Sequence, residues 1–225
     1  MTGRMISFRG NGASYEGYLS PAPAPSPGVV VVQEWYGVDD HIKDVCDRFA
    51  AEGFTALAPD LYRGVVAKSP DEAGKLRMAL DIAETEKLLR GGIAALLGDP
   101  SCASETAGVV GFCMGGQLAL FAAATSPDLV SACVDFYGVY AEAHPPLENL
   151  RAPLLGIFAE RDRSLTPQAL AALDQRLTAL GKTHEFHTYP GTQHGFFNDT
   201  RPHHDADASR DAWRRTVAFL RQYVK

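Results

Sequence analysis

Short apolar runs that can only be strands alternate with amphipathic stretches along most of this chain, and that alternation restricts the fold more than any other feature. Val29 to Gln33 is an apolar run of the kind buried on both faces of a parallel sheet. It is followed over 39–52 by Ile42, Val45, Cys46, Phe49 and Ala50, spaced three and four apart as on one face of a helix, with Gly53 as the stop. Phe54 to Ala58, Thr106 to Val110, Leu129 to Tyr137, Pro153 to Ala159 and Thr183 to Tyr189 repeat the strand signal. Helical stretches near 82–98, 116–125, 166–180 and 207–224 fall between and after them, the last with Trp213, Val217, Leu220 and Val224 on one face. Such a pattern predicts an α/β fold, a mostly parallel sheet with helices on both faces and a site at the carboxyl ends of its strands.

Two further segments complete the plan. Met5 to Phe8 and Ser14 to Leu19 flank Gly10-Asn11-Gly12, a hairpin signal that predicts an antiparallel N-terminal pair. The proline-rich stretch Pro21 to Pro27 reads as an extended connector into the parallel part. At 225 residues the chain is expected to form one α/β domain over 1–225, with the irregular segment 63–81 as a lid or rim.

Charge and composition exclude several classes of function. Lys and Arg number 21 against 27 Asp and Glu, a net charge of −6, so no overall basic field draws in nucleic acid or an anionic lipid surface. The aliphatic run Val29 to Val32 is far shorter than the ~20 residues that cross a bilayer. The opening Met1-Thr2-Gly3-Arg4-Met5 lacks an apolar signal region, and a cytoplasmic location is expected. Cysteines 46, 102, 113 and 133 show no paired spacing and are expected as free thiols. On this expectation the acceptor motif Asn198-Asp199-Thr200 goes unglycosylated.

The chemistry concentrates at Gly111-x-Cys113-x-Gly115, which a β-run enters and an Ala- and Leu-rich helix leaves. That is the context of a nucleophile elbow, with Cys where Ser is more common. A turn this sharp strains the central residue and brings backbone against backbone, which excludes side chains two residues to either side. The helix start behind the sulfur favours thiolate and aims free N–H groups at an incoming oxygen. A buried apolar role suits Cys46, Cys102 and Cys133 but leaves the flanking glycines at 113 unexplained.

An elbow of this kind takes an acid and then a base from later in the chain. Asp162 follows the strand ending at Ala159, and His194 lies in the loop after the last strand. Glu160 is the alternative acid, closer to the end of the apolar run. His184 and His187 fall within a strand, His203 and His204 precede a helix, and His41 and His144 have no evident partner. No ligand spacing for a metal occurs, and no metal or cofactor is expected.

Gln33-Glu34-Trp35-Tyr36-Gly37, Ala58-Pro59-Asp60-Leu61-Tyr62, Gly111 to Gly116, Asp162 and His194-Gly195-Phe196 together resemble the dienelactone hydrolase family of α/β-hydrolases, over about residues 5 to 224. The resemblance implies the α/β-hydrolase fold and a Cys113, His194 and Asp162 triad that forms a covalent acyl-enzyme. It also implies that Glu34 contacts the resting thiol. Backbone N–H groups of Met114 and Trp35 are the expected oxyanion donors.

Family members that act on the anionic dienelactone hold its carboxylate with two arginines. Here the position four after His194 is Asn198, and 63–81 offers Lys68, Lys75 and Arg77. Tyr36, Tyr62, Tyr137, Phe196 and Phe197 are expected beside the site as aromatic pocket residues, with Arg77 and Asn198. The expected substrate is therefore a small neutral ester or lactone, aryl-bearing. A phosphotriester attacked by the same thiolate and the dienelactone itself are the alternatives. A small molecule is the expected partner, and the chain a monomer or small homo-oligomer.

Overall fold

The computed structural model describes residues 3–10, 12–138 and 140–225. Eight strands form one sheet among these residues, in the order β1, β2, β4, β3, β5, β6, β7, β8. They are β1 (Arg4–Gly10), β2 (Ala13–Ser20), β3 (Gly28–Val32), β4 (Thr55–Pro59), β5 (Ala107–Phe112), β6 (Val130–Phe136), β7 (Leu154–Ala159) and β8 (His184–Tyr189). β1 pairs antiparallel with β2, and β2 antiparallel with β4; every later pairing is parallel. The hairpin is as the sequence predicts, although Asn11 itself lies outside the described residues.

Helices α1 (Asp40–Ala51), α2 (Pro70–Met78), α3 (Ile82–Leu97), α4 (Met114–Thr125), α5 (Pro167–Ala179) and α6 (Ala206–Tyr223) connect and cover the strands. Alternate side chains of a strand point to opposite faces, and β3 shows it. Val30 and Val32 pack with Leu88, Ile93 and Leu118 on the side of α3 and α4, while Val29 and Val31 pack with Phe49, Val217 and Leu220 on the side of α1 and α6. Being apolar at every position, β3 supplies both core layers and is completely buried.

Local chemistry sets the helix boundaries. Asp39 caps α1 by accepting from the Ile42 N–H at 3.1 Å, and Gly53 then turns the chain at φ 84°. In the segment 63–81, expected to be irregular, the structure places α2. Its weak apolar periodicity hides it, but Ser69 accepts from the Glu72 N–H at 3.2 Å and Pro70 occupies the first turn, both ordinary helix-start devices.

Among the glycines the closest approach lies where α4 leaves β5. A Cβ on Gly111 would stand 1.8 Å from the Gly115 carbonyl oxygen, and one on Gly115 would stand 2.3 Å from that of Gln33. Backbone atoms cannot yield as side chains do, so Gly111→Ala is expected to lower unfolding free energy by about 3 kcal/mol or more in urea titrations. At Gly74 in α2 a Cβ meets nothing within 4 Å. Gly74→Ala is expected to raise stability by about 0.5–1 kcal/mol through helix propensity. Equal effects of the two variants would contradict this account of the elbow.

Candidate active site

β5 ends at Phe112, the chain reverses at Cys113, and α4 begins at Met114. Cys113 sits at φ 57°, ψ −124°, a conformation that costs a non-glycine residue about 1–3 kcal/mol and persists only where the surroundings enforce it. Those surroundings are the glycine contacts above and two backbone hydrogen bonds: the Cys113 N–H donates to Phe136 O at 3.0 Å, and the Gly116 N–H to Cys113 O at 2.9 Å. The sulfur is thereby set at the N-terminus of α4, in its positive field.

Asp162 follows β7 and has both oxygens engaged. One accepts the N–H groups of Ser164 (2.7 Å) and Leu165 (3.1 Å); the other lies 2.7 Å from His194 Nδ1. This contact fixes the orientation of the imidazole, and the two side chains predicted from sequence order stand together. Glu160 does something else: it is exposed and accepts the Gly191 N–H at 2.8 Å, pinning the turn that leads to His194.

Burial by itself would lower the His194 pKa, but the hydrogen bond to Asp162 and interaction with the Cys113 sulfur outweigh it and raise it to about 10. For Asp162, burial works upward and the His194 contact with the two backbone N–H groups works downward, with a net lowering. The pair thus favours imidazolium beside carboxylate, the state that follows when a thiol yields its proton to the ring.

Glu34, at the end of β3, is buried, and its Oε2 accepts from Asn198 Nδ2 at 2.7 Å. The resemblance implies a contact with the resting thiol; the hydrogen bond found for Glu34 is this one. Among the described residues no hydrogen bond joins Glu34 to Cys113. Asn198 is itself fully buried, and its Oδ1 accepts from the backbone and hydroxyl of Thr200. It is a clamp on Glu34 rather than an open pocket wall. Burial raises the Glu34 pKa, against the influence of His41 and Asn198.

Of the expected oxyanion donors, Met114 is the first residue of α4, where an N–H has no partner within the helix. The Trp35 N–H makes no backbone hydrogen bond among the described residues. Tyr62 is buried, with its hydroxyl 3.5 Å from Met114 Sδ. Tyr137 is buried, and its ring centroid lies 5.0 Å from that of His194. Phe196 and Phe197 are also buried: Phe197 stacks on Phe112 and Trp213, and Phe196 packs on Tyr137 and Tyr189. These two form the backing of the site, while Trp35 and Tyr36 keep partial exposure.

Arg77 belongs to the same surroundings, since it acts on the acidity of both Tyr62 and Tyr140, and Tyr140 Oη donates to its backbone carbonyl at 3.1 Å. Sequence reasoning overlooked Arg201, whose guanidinium carbon stands 3.8 Å from the centroid of the Tyr36 ring. The turn that closes with the Arg201 N–H on Asn198 O, at 3.1 Å, carries it back toward the site. Among the described residues, no group of three His, Cys, Asp or Glu is placed to hold a metal ion, and no helix is long and apolar enough to cross a membrane.

The family model for the dienelactone hydrolase family matches residues 16–224. The chain belongs to the dienelactone hydrolase family. One relative, Protein usf of Aquifex pyrophilus, is 34% identical, with 99% of each chain covered. Another, from Aquifex aeolicus and named "Putative carboxymethylenebutenolidase", is 31% identical over 99% of this chain and 100% of its own. Among solved structures, a dienelactone hydrolase-like promiscuous phosphotriesterase from metagenomic libraries has a TM-score of 0.88 at 21% identity, covering 100% of this chain and 99% of its own. That likeness shows the shared fold. The α/β-hydrolase architecture of the family therefore accounts for the mostly parallel sheet and its antiparallel hairpin.

The Asp162 and His194 contact has a consequence for stability. A raised imidazole pKa stabilises the fold fully below the unfolded value near 6.5, and the contribution is lost as pH climbs toward 10. The lowered Asp162 pKa contributes above its ordinary 3.8 and is lost as pH falls through the folded value. Asp162→Asn is expected to remove both, so the difference in unfolding free energy from the unaltered protein should be largest between about pH 4 and 6.5, shrinking as pH rises toward 10 and as it falls below the ordinary Asp value. Parallel stability curves would contradict the pairing.

Proposed function

We propose that the protein hydrolyses small esters or lactones through Cys113, His194 and Asp162. The single observation that carries this reading is the strained Cys113 at the head of α4, served by a histidine whose Nδ1 is bound to Asp162 at 2.7 Å. His194 Nε2 takes the thiol proton, and the thiolate adds to the carbonyl carbon. Charge developing on the carbonyl oxygen is received by the N–H groups of Met114 and Trp35, each such donor contributing about 2.7–4 kcal/mol in the transition state. The tetrahedral adduct collapses as His194 H⁺ protonates the departing alkoxide. Water, losing its proton to the same ring, then frees the acid and restores the thiol. A thiol with this duty is best kept in a reducing compartment, which supports a cytoplasmic location.

Small aryl esters suit the partly exposed aromatic rim at Trp35 and Tyr36. A specific observation favours a second reading, in which the substrate carries a carboxylate. Arg77 and Arg201 each have a buried Nε with no hydrogen-bond partner among the described residues. A guanidinium donor left without a partner is suited to an oxyanion, by charge-assisted bonds. The cation that Asn198 does not provide is thus available three residues further on.

Two measurements test the function and then the substrate. Alkylation of Cys113 by iodoacetamide, and separately Cys113→Ala, are expected to reduce p-nitrophenyl acetate hydrolysis by at least about 1,000-fold with the fold retained. Activity persisting in Cys113→Ala would refute the mechanism. For the substrate, kcat/KM is compared on matched neutral aryl esters, carboxylate-bearing esters and aryl phosphotriesters. Arg201→Ala should cost about tenfold or more on the carboxylate series alone if the arginine reading holds. Equal losses on neutral esters would restore the neutral-substrate reading, and absent turnover of phosphotriesters would remove that alternative.

A further inference from the structure

β8 is the last strand of the sheet, and among the described residues no strand pairs with its outer edge. The Leu154 N–H donates to Thr183 O at 3.0 Å and the Glu160 N–H to Tyr189 O at 3.1 Å, so residues 183 and 189 turn their backbone toward β7. The N–H and C=O of one strand residue point the same way, and that direction alternates along the strand. His184, Phe186 and Thr188 therefore hold their backbone groups outward. Strand edges are ordinarily guarded by lysine, proline or a bulge. The run His184-Glu185-Phe186-His187-Thr188-Tyr189 has none of these and keeps an unbroken register with β7.

The helix beside this edge leaves apolar surface uncovered. α5 carries the run Ala169 to Leu173, yet Leu177 is its one buried residue, whereas α4 is buried over most of its length. Leu180, just past the end of α5, is also exposed. Leu173 and Phe186 are half-buried against the same core layer, so they share a face of the sheet. His184 Nε2 lies 3.0 Å from Asp174 Oδ1, which sets α5 alongside the start of β8.

We propose that a second copy of this chain pairs antiparallel along β8, with Phe186 opposite Phe186 at a two-fold axis, so that two sheets become one. This register uses every outward backbone group: 186 pairs with 186 and 184 with 188, each pair exchanging two bonds. It also sets Glu185 directly opposite His187 of the other copy, in the close type of pair, and the symmetry repeats that match. Both side chains are available for it, since Glu185 is 57% and His187 29% exposed, and they already stand 3.8 Å apart, Oε2 to Nε2, within one chain. A carboxylate facing an imidazole across the axis, in the one register that satisfies all the outward groups, selects a second copy over a foreign strand. The opposite edge, β1, carries Arg4 and Arg9 and no acid, and lacks this self-match. Because the axis stands perpendicular to the sheet, Phe186 and α5 of both copies lie on one face, and the apolar run Ala169 to Leu173 gains cover there. The pairing is independent of the hydrolase reading above.

Analytical ultracentrifugation of the full chain, joined to amide hydrogen exchange, tests this. The unaltered chain should sediment as a dimer that dissociates on dilution, with the Phe186 and Thr188 amides slow to exchange in the dimer. Thr188→Pro removes an outward N–H without costing a bond to β7, a place where an edge strand tolerates proline, and should raise the dimer Kd by about tenfold or more. Glu185→Lys, at an exposed side chain, should raise it by about tenfold, and adding His187→Glu to that variant should restore the dimer by reversing the facing pair. The charge variants carry the test if Thr188→Pro fails to fold. A chain that stays monomeric up to submillimolar concentration, or a dimer that the folded variants leave intact, overturns the proposal. Neither result touches the hydrolase reading, which the p-nitrophenyl acetate assay judges by itself.

Discussion

The approach of α4 to the backbone of β5 and the loop after β3 is the constraint on which the rest of the structure depends. Gly111 and Gly115 allow carbonyl oxygens to pass where a methyl group could not fit, and this closeness, with the backbone hydrogen bonds of Cys113, holds it at positive φ with its sulfur at the helix start. A third glycine extends the constraint. A Cβ on Gly116 would lie 2.2 Å from Asp135 Oδ1, so the carboxyl of β6 occupies space that any larger residue at 116 would need. The strain at one cysteine is thus maintained by close packing of α4 against β5, the loop after β3 and the Asp135 carboxyl of β6.

Electrostatics around that point divide the carboxyl groups by their surroundings. Asp162 keeps its charge because a histidine and two backbone N–H groups surround it. Burial pushes Asp135 up to about 7, opposed by the Gly138 N–H and the charge of His194. Glu34 is likewise driven up by burial, with His41 and Asn198 resisting. One carboxylate is held against the imidazole, while burial makes protonation of the two others inexpensive. The acid closest to its base in geometry is also the one most firmly ionised.

Much of this was legible in the chain because the signals are local. Apolar runs marked β3 to β7, Asp39 and the spacing from Ile42 to Phe49 marked α1, and the glycines around Cys113 marked the elbow. The order acid then base, at the ends of β7 and β8, brought Asp162 and His194 together correctly. What stayed hidden depends on long-range packing. α2 has only its Ser69 and Pro70 start signal and almost no apolar face. The pairing of Asn198 with Glu34 joins residues 164 positions apart, and no spacing rule foretells it. Arg201 reaches the Tyr36 ring through a turn whose direction only the folded sheet determines. The position of Phe196 and Phe197 after His194 suits pocket walls, yet the segment turns inward and lays their rings in the core.

The most direct measurement of the central claim is mass spectrometry of enzyme quenched in acid during turnover of a slowly deacylating p-nitrophenyl ester. The account predicts one acyl group per chain, on the peptide that contains Cys113, appearing with the burst of released phenol and absent in Asp162→Asn at the same early time. Steady turnover with Cys113 never acylated, or an acyl group carried by a different side chain, would contradict it.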